Sequence, residues 1–154
     1  MLSEEIVDFF EHQSFTIIST IDKQGRSHNA CKGIVKIGRE GKIYLLDLYH
    51  GRTFNNLQNN PNISITAVDE HKFKGYCLKG KARIVDKEEL EAGVISDWEN
   101  NLNSRITQRV IRSIQGYRGH KHQPEALLPS PKYLIEMAVE EVVDLTPAHI
   151  KEKK

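Results

Sequence analysis

Short stretches in which apolar and polar residues alternate make up most of the chain, the pattern of half-buried β-strands. Alternation and β-branched residues predict six strands, at 15–21, 27–37, 42–48, 62–68, 76–85 and 133–145. Turn-forming residues separate them, and the second with the third and the fourth with the fifth have hairpin spacing. The pattern predicts a mainly β protein with added α, a six-stranded antiparallel sheet closing into a small barrel.

Helical spacing occurs in three places. Ser3 followed by two acids starts a helix at 3–12, and a two-turn helix follows Gly51 and is stopped by Pro61. Between the fifth and sixth strands, apolar residues recur every fourth position and predict two amphipathic helices within an insertion at 87–117. The apolar positions there are Leu90, Val94, Trp98, Leu102, Ile106, Val110 and Ile114. Residues 118–131, which carry three prolines, read as a loop.

These elements form one predicted domain at 1–147, followed by a flexible basic tail at 148–154. With 22 Lys and Arg against 21 Asp and Glu, the net charge of +1 gives no general field for nucleic acid or an anionic membrane. The basic stretch at 105–122 lacks interleaved aromatic residues, so pairing between helices or subunits is favoured there over RNA binding.

The cellular location of the protein and the redox state of its cysteines are inferred from patterns that the sequence lacks. No apolar run is long enough to span a bilayer, and the first dozen residues lack the basic and small-residue pattern of a secretory signal, so we expect a cytoplasmic protein. Cys31 and Cys77 lack zinc-binding spacing and are expected to stay reduced. No G-x-S-x-G, P-loop or G-x-G-x-x-G motif supports a hydrolase, an NTPase or a dinucleotide-binding fold.

The turn from the third strand into the short helix is the best candidate for an anion site. A helix that begins directly after Gly51 leaves its first amides pointing outward, where they can bind a phosphate, with Arg52 and the Thr53 hydroxyl beside them. The alternative is that Thr53 caps the helix and Arg52 is solvated. On spacing alone the alternative is favoured, because helix starts with a nearby arginine are common.

The segment GRTFNNLQNNPNISITAV, placed between a strand pair and an L-K-G-K-A strand, resembles the pyridoxamine 5'-phosphate oxidase-related, FMN-binding split-barrel family. The resemblance covers residues 3–86 well and the closing strand loosely, and no family motif falls in the insertion. It implies a split β-barrel, a homodimer with FMN at the subunit interface, and hydride or electron transfer through flavin N5. The small-molecule substrate is unidentified, and the electron donor could be a nicotinamide.

The resemblance also implies cofactor-binding residues. At the phosphate, Arg52 matches the family's arginine, Thr53 stands where a lysine is common, and Asn56 faces either the phosphate or the helix surface. Along the flavin ring, the matching positions are Cys31, Lys32, Gly33, Ile34, Leu46 and Asp47. Lys32 either places a cation near the flavin N1–C2=O edge or points to solvent, and Gly33 either admits the planar ring or marks a bulge.

Histidines supply the remaining candidates. His120 and His122 with Glu125 lack a third ligand at a diagnostic spacing, so no metal site is predicted. His28 and His50 could donate protons near a flavin, although surface roles are favoured for both. Two rival classes remain: a flavin or heme module without turnover, with His28, His50 or His71 as nominal axial ligands, and a deazaflavin enzyme. No covalent catalyst is proposed.

Overall fold

We describe a computed structural model of the chain, covering residues 1–47, 50–89 and 133–151 together with residues 93, 94, 96, 97, 99 and 100. Its elements, in chain order, are α1 (Glu4–Glu11), β1 (Thr16–Ile21), β2 (Ser27–Lys32), β3 (Ile34–Ile37), β4 (Lys42–Asp47), α2 (Arg52–Asn59), β5 (Asn62–Asp69), β6 (Lys74–Asp86), a 3-10 turn (Lys87–Glu89), β7 (Tyr133–Asp144) and α3 (Ala148–Lys151). The predicted helix near the amino-terminal end is confirmed, and Ser3 Oγ caps it by accepting a hydrogen bond from the Ile6 amide.

The seven strands form one antiparallel sheet in the order β2-β1-β5-β6-β7-β4-β3. Its two edge strands, β2 and β3, are separated in sequence by Gly33 alone, so the sheet curls until its edges meet at that residue. The Gly33 carbonyl there accepts a hydrogen bond from the Leu46 amide at 3.0 Å. The split-barrel prediction is confirmed, and so are both predicted hairpins, β3–β4 and β5–β6.

The strand count differs from the six predicted because the segment 27–37 is two strands rather than one. The chain turns at Gly33 from pairing with β1 to pairing with β4, and the β3–β4 register shifts between Ile34 and Lys36. A residue without a side chain permits such a bend, whereas hydrophobic alternation runs on through it. Periodicity alone therefore predicts one continuous strand where the structure has β2 and β3.

Inward-facing residues of the curled sheet, together with Phe10 of α1, form the main core. The fully buried side chains there are Phe10, Ile18, Ile43, Leu45, Ile65, Leu78, Ile135 and Met137. Burying each such side chain stabilises the fold by about 1.5–3 kcal/mol. Because β7 pairs with both β6 and β4, its inward residues lie at the centre of this core.

A second, smaller core lies on the outward face, where the start of the insertion packs against the sheet. Val94 is fully buried with Val35, Tyr44 and Leu134. Residues 93, 94, 96, 97, 99 and 100 are helical, as the spacing predicted. Trp98, the second predicted helix, the basic stretch 105–122 and the loop 118–131 lie outside the described residues.

Beyond β7, residues 148–151 of the predicted tail form a helical turn, and Lys151 Nζ lies 2.9 Å from Asp144 Oδ2. Among the helices that the structure describes, none combines the length and apolar character needed to cross a bilayer.

Candidate functional site

The start of α2 is open towards solvent. Gly51 occupies the cap position with extended backbone and offers no side-chain hydrogen bond, and the first helical hydrogen bond runs from the Asn55 amide to the Gly51 carbonyl. The amides of Arg52 to Phe54 therefore precede the hydrogen-bonded part of the helix, the condition under which a helix start attracts an anion. Arg52 is exposed beside them, whereas Thr53 is buried.

The other polar residue predicted on this helix, Asn56, is buried under it. Its side-chain amide donates a hydrogen bond to Thr20 Oγ1 at 3.0 Å, which ties α2 to the inward face of β1. The helix also packs against β2 and β6. Asn56 thus holds the helix that carries Arg52, and its predicted contact with a phosphate stays a prediction.

Lys32, the last residue of β2, turns into the barrel rather than to solvent. Its ammonium lies 2.6 Å from Asp47 Oδ1 at the end of β4, and only 11% of the Lys32 side chain and 5% of the Asp47 side chain are exposed. The Lys32 carbonyl accepts a hydrogen bond from Thr16 Oγ1 on β1. The solvent-facing alternative for Lys32 is therefore wrong, and its charge is matched by a buried carboxylate.

A third polar group completes this cluster. Tyr133, the first residue of β7, lies directly opposite Asp47 in the β4–β7 ladder. Burial, together with a hydrogen bond to the Asp47 carboxylate and the charge of that carboxylate, raises the pKa of the Tyr133 phenol well above its usual value. Asp47 Oδ2 is buried and has no hydrogen-bond partner among the described residues. We call Lys32, Asp47 and Tyr133 the closure cluster, since they join the strand ends where the sheet closes.

The rings of His50, Phe54 and Tyr133, which we call the aromatic group, connect the closure cluster to the start of α2. The His50 ring stacks on the Phe54 ring with centroids 4.4 Å apart, and the Tyr133 ring lies 5.0 Å from the first and 5.1 Å from the second. His50 and Phe54 flank Gly51–Thr53 in sequence, so the aromatic group brackets the open amides. Phe54 and Tyr133 were not predicted as site residues, because the register that brings Tyr133 opposite Asp47 cannot be read from either strand alone.

The remaining predicted residues lie along the bend. Cys31 is exposed on the outward face of β2 opposite Ile17, and Gly33 forms the bend itself. Ile34 lies opposite Leu45, and Leu46 is half-buried. The bend therefore brings Gly33 and Ile34 beside β4, while Cys31 faces outward.

The candidate histidine ligands are dispersed. His28 is half-buried on β2, and His71 is exposed at the tip of the β5–β6 hairpin. Within the described part of the chain, no group of three or more His, Cys, Asp or Glu residues is arranged to hold a metal ion. His120, His122 and Glu125 lie outside that part.

Comparison with known proteins agrees with this architecture. The family model for pyridoxamine 5'-phosphate oxidase matches residues 2–145. No curated protein sequence matches the chain.

Solved structures of similar fold span almost the whole chain. HupZ of Group A Streptococcus superposes with a TM-score of 0.64 at 20% identity, covering 95% of each chain. HutZ of Vibrio cholerae, described as a heme storage protein, gives 0.54 at 19% identity, with 93% of this chain and 94% of HutZ covered. An F420 reductase gives 0.53 at 11% identity, with 84% and 88% covered. At these identities the structures share the fold, and the family model supplies the membership: the chain belongs to the pyridoxamine 5'-phosphate oxidase family.

Proposed function

We propose that this protein binds FMN, with the phosphate at the start of α2, and acts as an FMN-dependent oxidoreductase on a small substrate. The observation that carries the proposal is the open helix start behind Gly51, with an exposed Arg52 beside it. When bound, FMN would supply hydride or electron transfer through its N5 atom.

The phosphate end has two sources of affinity. The helix start favours an anion by about 0.3–1 kcal/mol, and the Arg52 guanidinium can hold two phosphate oxygens through parallel donors. Thr53 replaces the lysine common in the family and is buried. Arg52 is then the one side-chain cation proposed for the phosphate.

The ring end rests on the bend at Gly33. A planar ring can approach main chain that lacks a side chain, and the proposed contacts are the main chain of Cys31 to Ile34 with Leu46 across the hairpin. Lys32 would contribute through its main chain, since its ammonium is held by Asp47. With that charge matched inside the barrel, a cation opposite the flavin N1–C2=O edge is not part of the proposal.

The proposed homodimer has a suitable face. Across β2, β1, β5 and β6, the outward-facing cross-strand neighbours are Cys31, Ile17, Thr66 and Cys77, a row without charge. Nearby, Val68 is 60% exposed and Leu145 44% exposed. A solvated sheet face normally carries polar residues, so a second copy covering this face would account for its composition. Ile17→Glu should convert the dimer to a monomer, with the molecular mass measured by light scattering. An unchanged mass would count against this face as the dimer interface.

The cofactor is tested first by the absorption spectrum of the purified protein and by titration with FMN. Oxidised-flavin bands, bleached by a nicotinamide donor, would support the proposal. A Soret band would instead favour a heme-binding module such as HutZ is described to be, and selective binding of a deazaflavin would favour a reductase resembling the F420 enzyme. A colourless protein that ignores added FMN would refute the proposal.

Arg52→Ala tests the phosphate contact. Loss of a hydrogen-bonded charge contact should weaken FMN binding about 10–100-fold while leaving riboflavin, which lacks the phosphate, within about twofold. Arg39→Ala, at another exposed arginine, is the matched control and should bind both ligands normally. Equal FMN affinity in Arg52→Ala and wild type would remove Arg52 from the site.

A further inference from the structure

We infer that Tyr133 is a positioning residue for the phosphate end of the ligand site, acting through the aromatic group from the closure cluster inside the barrel. The inference rests on the proposed function and extends it to a residue outside the proposed phosphate contacts.

The closure cluster joins three strands, and a hydrogen bond connects it to a fourth. Lys32 ends β2, Asp47 ends β4 and Tyr133 begins β7, while the Thr16 hydroxyl of β1 holds the Lys32 carbonyl. A buried ion pair is a poor means of stabilising a core, since apolar residues of similar size do as well or better. What it does supply is a fixed orientation, because Tyr133 lies opposite Asp47 in the β4–β7 ladder and the Lys32 ammonium holds the Asp47 carboxylate in place.

The Tyr133 ring connects the closure cluster to the start of α2 through contacts with two other rings. The centroid of the Tyr133 ring lies 5.0 Å from that of His50 and 5.1 Å from that of Phe54. These two rings stack on each other, and their residues flank Gly51–Thr53 in sequence. A change in the orientation of the Tyr133 ring would therefore displace the two side chains that flank the open amides. Groups that orient a ligand contact commonly alter affinity without touching the ligand.

The same ladder provides a matched control. Tyr44 lies opposite Glu136, as Tyr133 lies opposite Asp47, and its phenol also hydrogen-bonds to the facing carboxylate. The two pairs are three residues apart in the β4–β7 ladder and face opposite sides of the sheet. Tyr44 packs on the outward face with Val94 rather than with the aromatic group.

The experiment compares Tyr133→Phe with Tyr44→Phe, each of which removes one phenolic hydroxyl and keeps the ring. The readout is the ratio of the riboflavin Kd to the FMN Kd, which reports the phosphate contribution and is insensitive to a loss of stability shared by both complexes. Tyr133→Phe should lower this ratio on the order of tenfold, and Tyr44→Phe should leave it within about twofold. NMR signals of the His50 imidazole should shift in Tyr133→Phe and not in Tyr44→Phe.

A folded Tyr133→Phe protein with an unchanged ratio and unchanged His50 signals would overturn the inference. If Tyr133→Phe folds poorly, the double variant Lys32→Met with Asp47→Leu removes the carboxylate without leaving a lone charge, and it should lower the ratio as well; an unchanged ratio there has the same meaning. Wild-type protein that binds no FMN would refute the proposed function, whereas normal FMN binding with an unchanged ratio refutes the positioning role alone.

Discussion

The side-chain amide of Asn56 donates a hydrogen bond to Thr20 Oγ1 across 3.0 Å, and both residues are buried between α2 and β1. A two-turn helix is marginal by itself in water, so its position depends on contacts with the sheet. Among the described residues, this side-chain hydrogen bond joins α2 to the barrel. It holds in place the helix that begins at Arg52.

Removing either partner should therefore destabilise the protein. Asn56→Ala and Thr20→Val should each lower the free energy of unfolding by about 1–3 kcal/mol, since each leaves a buried polar group unpaired. Urea denaturation provides the measurement. Asn55→Ala, at the exposed neighbouring position, should stay within about 0.5 kcal/mol, and a loss as large as that of Asn56→Ala would contradict this account.

Removing one partner of the Lys32–Asp47 pair should lower the free energy of unfolding more than replacing both partners with apolar residues. Lys32→Met leaves the buried Asp47 carboxylate without its ammonium partner and should lower the free energy of unfolding by about 3–5 kcal/mol. Lys32→Met combined with Asp47→Leu should recover part of that loss, since no lone charge remains but the buried Tyr133 phenol loses the carboxylate it faces. Lys36→Met provides the control, because the Lys36–Asp97 pair is well exposed and should be worth at most about 1 kcal/mol. A double variant as unstable as the single one would show that the pair itself stabilises the fold.

Because of Tyr133, the free energy of unfolding of the wild-type protein should fall at alkaline pH. Below pH 10 the phenol is protonated in both the folded and the unfolded states, so its contribution is fully present. Above pH 10 the unfolded state loses the proton while the folded state, whose phenol pKa is raised, retains it. Wild type should therefore lose about 1.4 kcal/mol per pH unit relative to Tyr133→Phe. Urea denaturation of both proteins between pH 8 and 11.5 measures this difference, and parallel pH profiles would exclude it.

Phe73, at the tip of the β5–β6 hairpin, has a positive φ of 49° and is 65% exposed. A side chain in the left-handed region costs about 1–2 kcal/mol, of which glycine would recover part after its own entropy cost of about 0.5–1 kcal/mol. Phe73→Gly should accordingly raise the free energy of unfolding by about 0.5–1 kcal/mol. Phe73→Ala, which keeps the backbone penalty, should bring no gain; equal effects of the two substitutions would point to the side chain instead.

Sequence patterns predicted the strands and the first two helices because each is a local property. Ser3 with its following acids marks a cap, and Ile63, Ile65 and Ala67 alternate inward as expected. The same patterns do not predict the division of one strand at Gly33, where a glycine is equally compatible with a bulge. Alternation continues through the bend, and the change of partner strand is a long-range event that local periodicity does not record.

The candidate site was predictable where it is local and unpredictable where it depends on register. The helix start at Gly51 and Arg52 follows from a short motif. The inward turn of Lys32 could not be chosen over the outward one, since a shift of one residue exchanges the faces of a strand. The contact between Tyr133 and Asp47 joins residues 86 positions apart through the β4–β7 register, for which the sequence holds no local signal.

The position of β7 between β6 and β4 has a consequence for how the protein is made. Residues 1–86 contain every other described strand, yet until β7 pairs with them the neighbouring edges of β6 and β4 remain open. A ribosome adding about 5–20 residues per second has to translate the whole insertion before that strand emerges. The nascent chain thus carries two unpaired strand edges for seconds, the interval in which edge pairing between chains, and hence chaperone dependence, would be greatest.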